Sequence, residues 1–134
     1  MVRFEIPGKP VPKQRPRIVK GHAYTPRETL DFEKHVGWRY KAAGGTVHAG
    51  PVAITIAVWY EIPKSWSKKK KDETIGEPHT SKPDLDNIVK SILDGLNGTA
   101  WKDDAQVSII RAGKHWWDRS PKTIVTVEEA KTCR

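Results

Sequence analysis

The chain has 134 residues, 37% of them hydrophobic and 30% charged, with a formal net charge of +8. That length holds one domain over residues 1–134 with a single core, and the lone Cys133 excludes an internal disulfide framework or a cysteine-built metal cluster. No run approaches the ~20 apolar residues that cross a bilayer and no apolar leader follows Met1, so a cytoplasmic protein without a membrane partner is expected, its basic excess favouring nucleic acid.

Residues 2–6 alternate weakly and read as a first strand. Pro7, Gly8, Pro10, Pro12 and Pro16 then keep the chain extended, because proline fixes φ and disfavours helix in the residue before it. The same stretch carries Lys9, Lys13, Arg15, Arg17 and Lys20 with no acid among them. It is suited to lie along a nucleic-acid backbone, the alternatives being a solvated loop and, more weakly, a proline-ligand motif. Thr25-Pro26-Arg27-Glu28 supplies an N-cap, a proline at N1 and an early acid. Leu30, Phe32, Val36, Tyr40 and Ala43 continue an amphipathic helix until Gly44-Gly45 stops it.

Residues 52–60 are β-branched and nearly continuous in apolarity, which predicts a central strand largely covered on both faces and ended by Pro63. Residues 64–79 lack apolar periodicity and include Lys68-Lys69-Lys70-Lys71. They read as an exposed loop or frayed helical turn whose lysines are first of all a solvated face, with Lys68 and Lys69 as a second patch for DNA the alternative.

Residues 84–96 carry the clearest helix. At ~100° per residue, Leu85, Ile88, Val89, Ile92, Leu93 and Leu96 fill one arc of ~140°, with Asp86, Lys90 and Asp94 in a row along its border. Asn97-Gly98 closes it. Residues 106–114 and 123–127 read as two strands of an antiparallel hairpin. The expected fold class is α+β: a single domain with a mixed β-sheet packed with two main helices, in the order β-α-β-α-β-β.

Between Lys82 and Val107 lie Asp84, Asp86, Asp94, Asp103 and Asp104, with only Lys90 and Lys102 as internal cations. Clustered carboxylates resist ionising together unless something positive sits among them, and hard oxygen ligands suit Mg²⁺ or Mn²⁺. Asp84 and Asp86 could instead cap the helix. The second acidic pair is not explained by capping: it precedes a strand that can run back alongside the helix, so its carboxylates are expected to converge on the same end. Neighbouring side chains of an extended segment alternate, so Asp103 and Asp104 cannot both face one metal, and spacing alone does not choose between them. Lys90, one turn beyond Asp86, is placed to meet a scissile phosphate, or to form an i,i+4 pair with Asp86 or Asp94. Asp94 belongs to the periphery. His22, His35, His48, His79 and His115 are scattered without metal-ligand spacing, and neither a nucleophilic triad nor a glycine-rich phosphate loop is present. A basic surface that attracts phosphate and a carboxylate set that can bind a hard cation suggest a metal-dependent nuclease.

The block Lys82-Pro83-Asp84-Leu85-Asp86-Asn87, then Lys90, Asp94 and Trp101-Lys102-Asp103-Asp104-Ala105-Gln106-Val107, resembles the RusA-type Holliday junction resolvases. Gly8-Lys9-Pro10-Val11-Pro12-Lys13-Gln14-Arg15-Pro16-Arg17 and Tyr24-Thr25-Pro26 are similar to the N-terminal half of that family. The resemblance implies a small homodimeric endodeoxyribonuclease that uses Mg²⁺, with Mn²⁺ as a substitute, to nick opposing strands of a four-way DNA junction in recombination and repair. It places the metal-binding and catalytic carboxylates on Asp84, Asp86 and Asp104, and the catalytic lysine on Lys90. A two-fold junction needs two equivalent sites, which a C₂ homodimer supplies. The competing expectations are a non-catalytic, structure-selective DNA-binding protein and a nuclease acting on flaps or duplex DNA.

Overall fold

A computed structural model describes residues 1–130; Cys133, noted above, lies outside the described residues. The elements in chain order are β1 (Val2–Pro7), β2 (Arg17–Val19), β3 (His22–Tyr24), α1 (Arg27–Ala42), β4 (Val52–Glu61), α2 (Lys68–Thr74), α3 (Leu85–Leu96), a 3₁₀ turn (Asp104–Gln106), β5 (Val107–Trp117) and β6 (Lys122–Glu129). β1, β6, β4 and β5 form one mixed sheet in that spatial order, and β2 and β3 pair as a separate ribbon. The domain is α+β, as the patterning implied.

β4 takes the centre, pairing parallel with β5 and antiparallel with β6. The expected hairpin between the last two strands therefore does not form; residues 118–121 carry the chain past the end of β4 instead. Apolar burial decides the order. β4 offers Val52, Ile54, Ile56, Val58 and Tyr60 to the core, whereas β5 carries Ser108, Arg111 and Lys114 and tolerates an edge. Only one face of β4 is packed under helices. Its other side presents Thr55, Ala57, Trp59 and Glu61, all half-exposed, so the expectation of cover on both faces holds for one. On that open face Trp59 and Trp117 stack at 5.3 Å between ring centroids.

α1 begins one residue later than Thr25 as cap would have it. Pro26 occupies the N-cap position with ψ 141° and no side chain caps the helix. At the other end Gly44, at φ 86°, donates its amide to the Lys41 carbonyl, the αL closure that Gly44-Gly45 predicted. The basic arm contains a ribbon not foreseen in the sequence. Lys20 (φ 50°) and Gly21 (φ 79°) make the two-residue turn between β2 and β3, which needs positive φ at both positions. The lysine run forms the short helix α2, with Ser67 accepting from the Lys70 amide at 3.2 Å, and Lys70 Nζ sits 3.8 Å from the centroid of Trp66. Among the described residues, no helix is long and apolar enough to cross a membrane.

The core lies between the sheet and the pair α1–α3. Phe4 and Ile6 from β1, Val125 and Val127 from β6 and the inward residues of β4 meet Phe32, Val36 and Tyr40 of α1 and Ile88, Ile92 and Leu96 of α3. The two helices touch almost backbone to backbone. A Cβ on Gly95 would lie 2.7 Å from the Glu33 carbonyl oxygen and 3.0 Å from Val36 Cβ. Alanine would gain ~1 kcal/mol of helix propensity, but it cannot fit without parting the helices. Gly95→Ala is therefore expected to destabilise the fold by about 1–2 kcal/mol net, read as a lower urea midpoint at unchanged m-value.

Candidate active site

Asp84 is the N-cap residue of α3, yet its carboxylate makes no capping hydrogen bond. Lys82 Nζ donates to Asp84 Oδ1 at 2.7 Å, and this ammonium holds the Asp84 carboxyl below its usual range while its own pKa is raised. Both groups are open to solvent, so the pairing is a loose surface contact that a stronger cation can replace. Asp86, exposed in the first turn of α3, accepts the Asn87 amide at 2.9 Å. Two carboxylates thus stand at the positive end of a helix with most of their lone pairs free.

Lys90 is exposed, one turn further on, and makes no ion pair among the described residues. The i,i+4 pairing open to it in the sequence is not made. Asp94 is taken by Lys13, whose Nζ lies 2.9 Å from Asp94 Oδ2 and 3.3 Å from Glu33 Oε1. Burial alone would lower the Lys13 pKa, but Asp94, then Glu33, outweigh it and raise it. The Lys13 amide also donates to the Asn87 carbonyl at 2.8 Å. Lys13 therefore fastens the arm across α3, which is a different placement from the open DNA contact expected of it. A cleft of about 320 Å³ results, lined by Lys13, Gln14, Arg15, Pro16, Asn87 and Lys90. Arg15 at its rim, Arg17 on β2 and Lys9 before it are exposed, as are Lys68 and Lys69 on α2.

The second acidic pair behaves differently. Asp103 caps the 3₁₀ turn, accepting the Ala105 amide at 2.9 Å in a capping box with Gln106. Asp104 Oδ1 accepts Trp101 Nε1 at 2.8 Å, from an indole that is fully buried. Gln106 Nε2 donates to the carbonyls of His48 and Gly50, which ties this turn to the start of β4. Asp84 lies at the other end of the molecule's helical layer. Lys114, seven residues along β5 from Val107, donates to the Ser81 and Pro83 carbonyls at 2.7 Å each. At ~3.3 Å per residue that stretch of β5 spans ~23 Å, and α3 itself rises ~18 Å over its turns.

The expected convergence of Asp104 with Asp84 and Asp86 on one helix end does not occur within one chain. β5 does return along α3, but the start of a returning strand meets the C-terminal end of the helix. Among the described residues, no three His, Cys, Asp or Glu side chains are grouped closely enough to hold a metal ion. Lys114 and the stack of Tyr60 on His79, 4.1 Å between centroids, both stand behind the Asp84 loop and were not singled out from sequence. A lysine at an inward position of a strand was the available signal.

An arm fastened over α3, paired aspartates at the helix N-terminus and an unpaired lysine one turn later all fall inside the region matched to a known family. The family described as Endodeoxyribonuclease RusA matches residues 7–128. The chain is also similar to "Uncharacterized protein YqaN" of Bacillus subtilis (strain 168), at 33% identity over 137 residues and 96% of each chain. A match that runs from the end of β1 almost to the end of β6 takes in three of the four strands of the sheet and both long helices, so the chain belongs to the RusA endodeoxyribonuclease family.

Proposed function

We propose that the protein is a metal-dependent endonuclease that resolves four-way DNA junctions by paired, symmetric hydrolysis. The observation that carries this is the α3 N-terminus: Asp84 makes no capping bond, Asp86 gives only one oxygen to the Asn87 amide, and Lys90, one turn away, makes no ion pair among the described residues. Hard carboxylate oxygens fit Mg²⁺, with Mn²⁺ as a substitute, and such a cation takes one or two carboxylates while keeping waters and a substrate phosphate. When bound, it polarises the phosphoryl oxygen and lowers the pKa of an attacking water. Asp84 and Asp86 hold that cation, and Lys90 donates to a phosphate oxygen as charge develops on it. Arg15, Arg17 and Lys9 follow the strand away from the cut, where their charges position the backbone without reading sequence.

The partner is a second copy of the chain. Asp104 lies at the far end of α3 from Asp84, so an Asp84–Asp86–Asp104 site needs Asp104 from another protomer. A C₂ dimer with reciprocal exchange forms two such sites, one for each nicked strand. The activity places the protein in DNA recombination and repair, in the cytoplasm.

Purified protein with an end-labelled four-way junction is expected to give two symmetric nicks with Mg²⁺ and none in EDTA. Intact strands under every metal condition, with binding retained, would identify a non-catalytic binding protein. Equal cutting of linear duplex or flaps in the same tube would remove the junction preference.

A further inference from the structure

The geometry points to Lys114 as the residue that positions Asp84. Lys114 sits on β5 opposite Val58, on the face of the sheet that carries the core, and is half-buried. A charged side chain there needs partners. It makes no ion pair among the described residues, although its charge is felt at Asp84. Its Nζ instead donates to the Ser81 carbonyl and the Pro83 carbonyl, both at 2.7 Å, the second belonging to the residue directly before Asp84.

The main chain of the same strand continues the attachment. The Lys114 carbonyl accepts the His79 amide at 3.0 Å, Trp116 accepts the Gly76 amide at 2.8 Å, and the Trp116 amide donates to Glu77 at 3.0 Å. His79 is buried between Tyr60 and Trp116, at 4.1 and 4.4 Å between centroids. Residues 76–79 are thereby laid along the end of β5 by backbone bonds. Beyond His79 those bonds stop, and the two carbonyl contacts of Lys114 are what hold 81–83. Without them, the last fixed point before Asp84 would be His79, five residues earlier. Lys114 thus acts through the backbone on where the Asp84 carboxylate stands, and touches no reacting atom itself.

This rests on the reading of Asp84 as a metal ligand, and its test separates the two. Lys114→Met is expected to weaken Mn²⁺ binding, measured by calorimetry without DNA, by ~10–100-fold, and to slow single-turnover junction cleavage similarly. Exchange of the Ile88 amide, which donates to the Asp84 carbonyl at 3.3 Å, should quicken, while junction affinity stays near the wild-type value. Lys114→Arg, whose guanidinium can reach both carbonyls, is expected to recover most of the Mn²⁺ affinity and rate. Should the Met protein melt below the assay temperature, Lys114→Gln carries the same comparison. A folded Met or Gln variant that binds Mn²⁺ and protects the Ile88 amide like wild type would overturn the proposal, as would an Arg variant damaged as deeply as Met. Wild-type protein that cuts no junction would sink the nuclease reading instead, leaving amide exchange to judge Lys114.

Discussion

An equimolar mixture of Asp84→Asn and Asp104→Asn proteins is expected to nick a four-way junction that neither variant cuts alone. In the proposed dimer each site takes Asp84 and Asp86 from one protomer and Asp104 from its partner. A heterodimer of the two variants then has one site with both defects and one with none. Random exchange makes half the dimers heterodimers, each with one of two sites intact, so about a quarter of wild-type sites should return. The product should be a single nick per junction rather than a paired cut. If all three carboxylates acted within one protomer, every site in the mixture would carry a defect and activity would stay at background. Co-expression with two tags and tandem purification guarantees that heterodimers are what is assayed. Silent tandem-purified heterodimers would remove the shared site. The reason to expect recovery is the length of α3, since Asp104, bound to the buried Trp101 indole, cannot reach the opposite end of an ~18 Å helix.

Local physics made part of this legible. α3 was readable because six apolar residues in one arc can be satisfied only by a helix on a core, and its bounds fell within a residue of expectation. The stop of α1 at Gly44 was readable for the same local reason, a glycine that accepts φ 86° without strain. The partner of β5 was not. Whether two successive strands pair or admit a third between them depends on how the apolar surfaces of all the strands compare, and β4 outbids both neighbours. The fate of Lys13 was equally remote, since its two carboxylates come from α1 and α3. The acidic island misled in one respect. Carboxylates close in sequence need not be close in space: a helix of twelve residues separates Asp84 from the 3₁₀ turn that holds Asp104.

Lys90→Gln is expected to slow single-turnover junction cleavage by ~10²–10³-fold while leaving stability within ~0.5 kcal/mol of wild type. The two expectations come from the same observation. Lys90 is exposed and holds no carboxylate among the described residues, so its charge contributes little to the fold. It lines the cleft under the arm beside Asn87, one turn from Asp86, where a phosphate bound at the proposed site would present its oxygens. Removing one of many phosphate contacts should cost little in junction affinity, so the loss should appear in the chemical step. Lys13→Gln makes the opposite comparison. That variant strips the partner from Asp94 and Glu33, one of them already with an unpaired buried oxygen, and should lower the urea midpoint. It should slow cleavage less than Lys90→Gln. A Lys90 variant that cuts at the wild-type rate would assign the lysine to solvent, and one that loses stability as Lys13→Gln does would make it a structural residue.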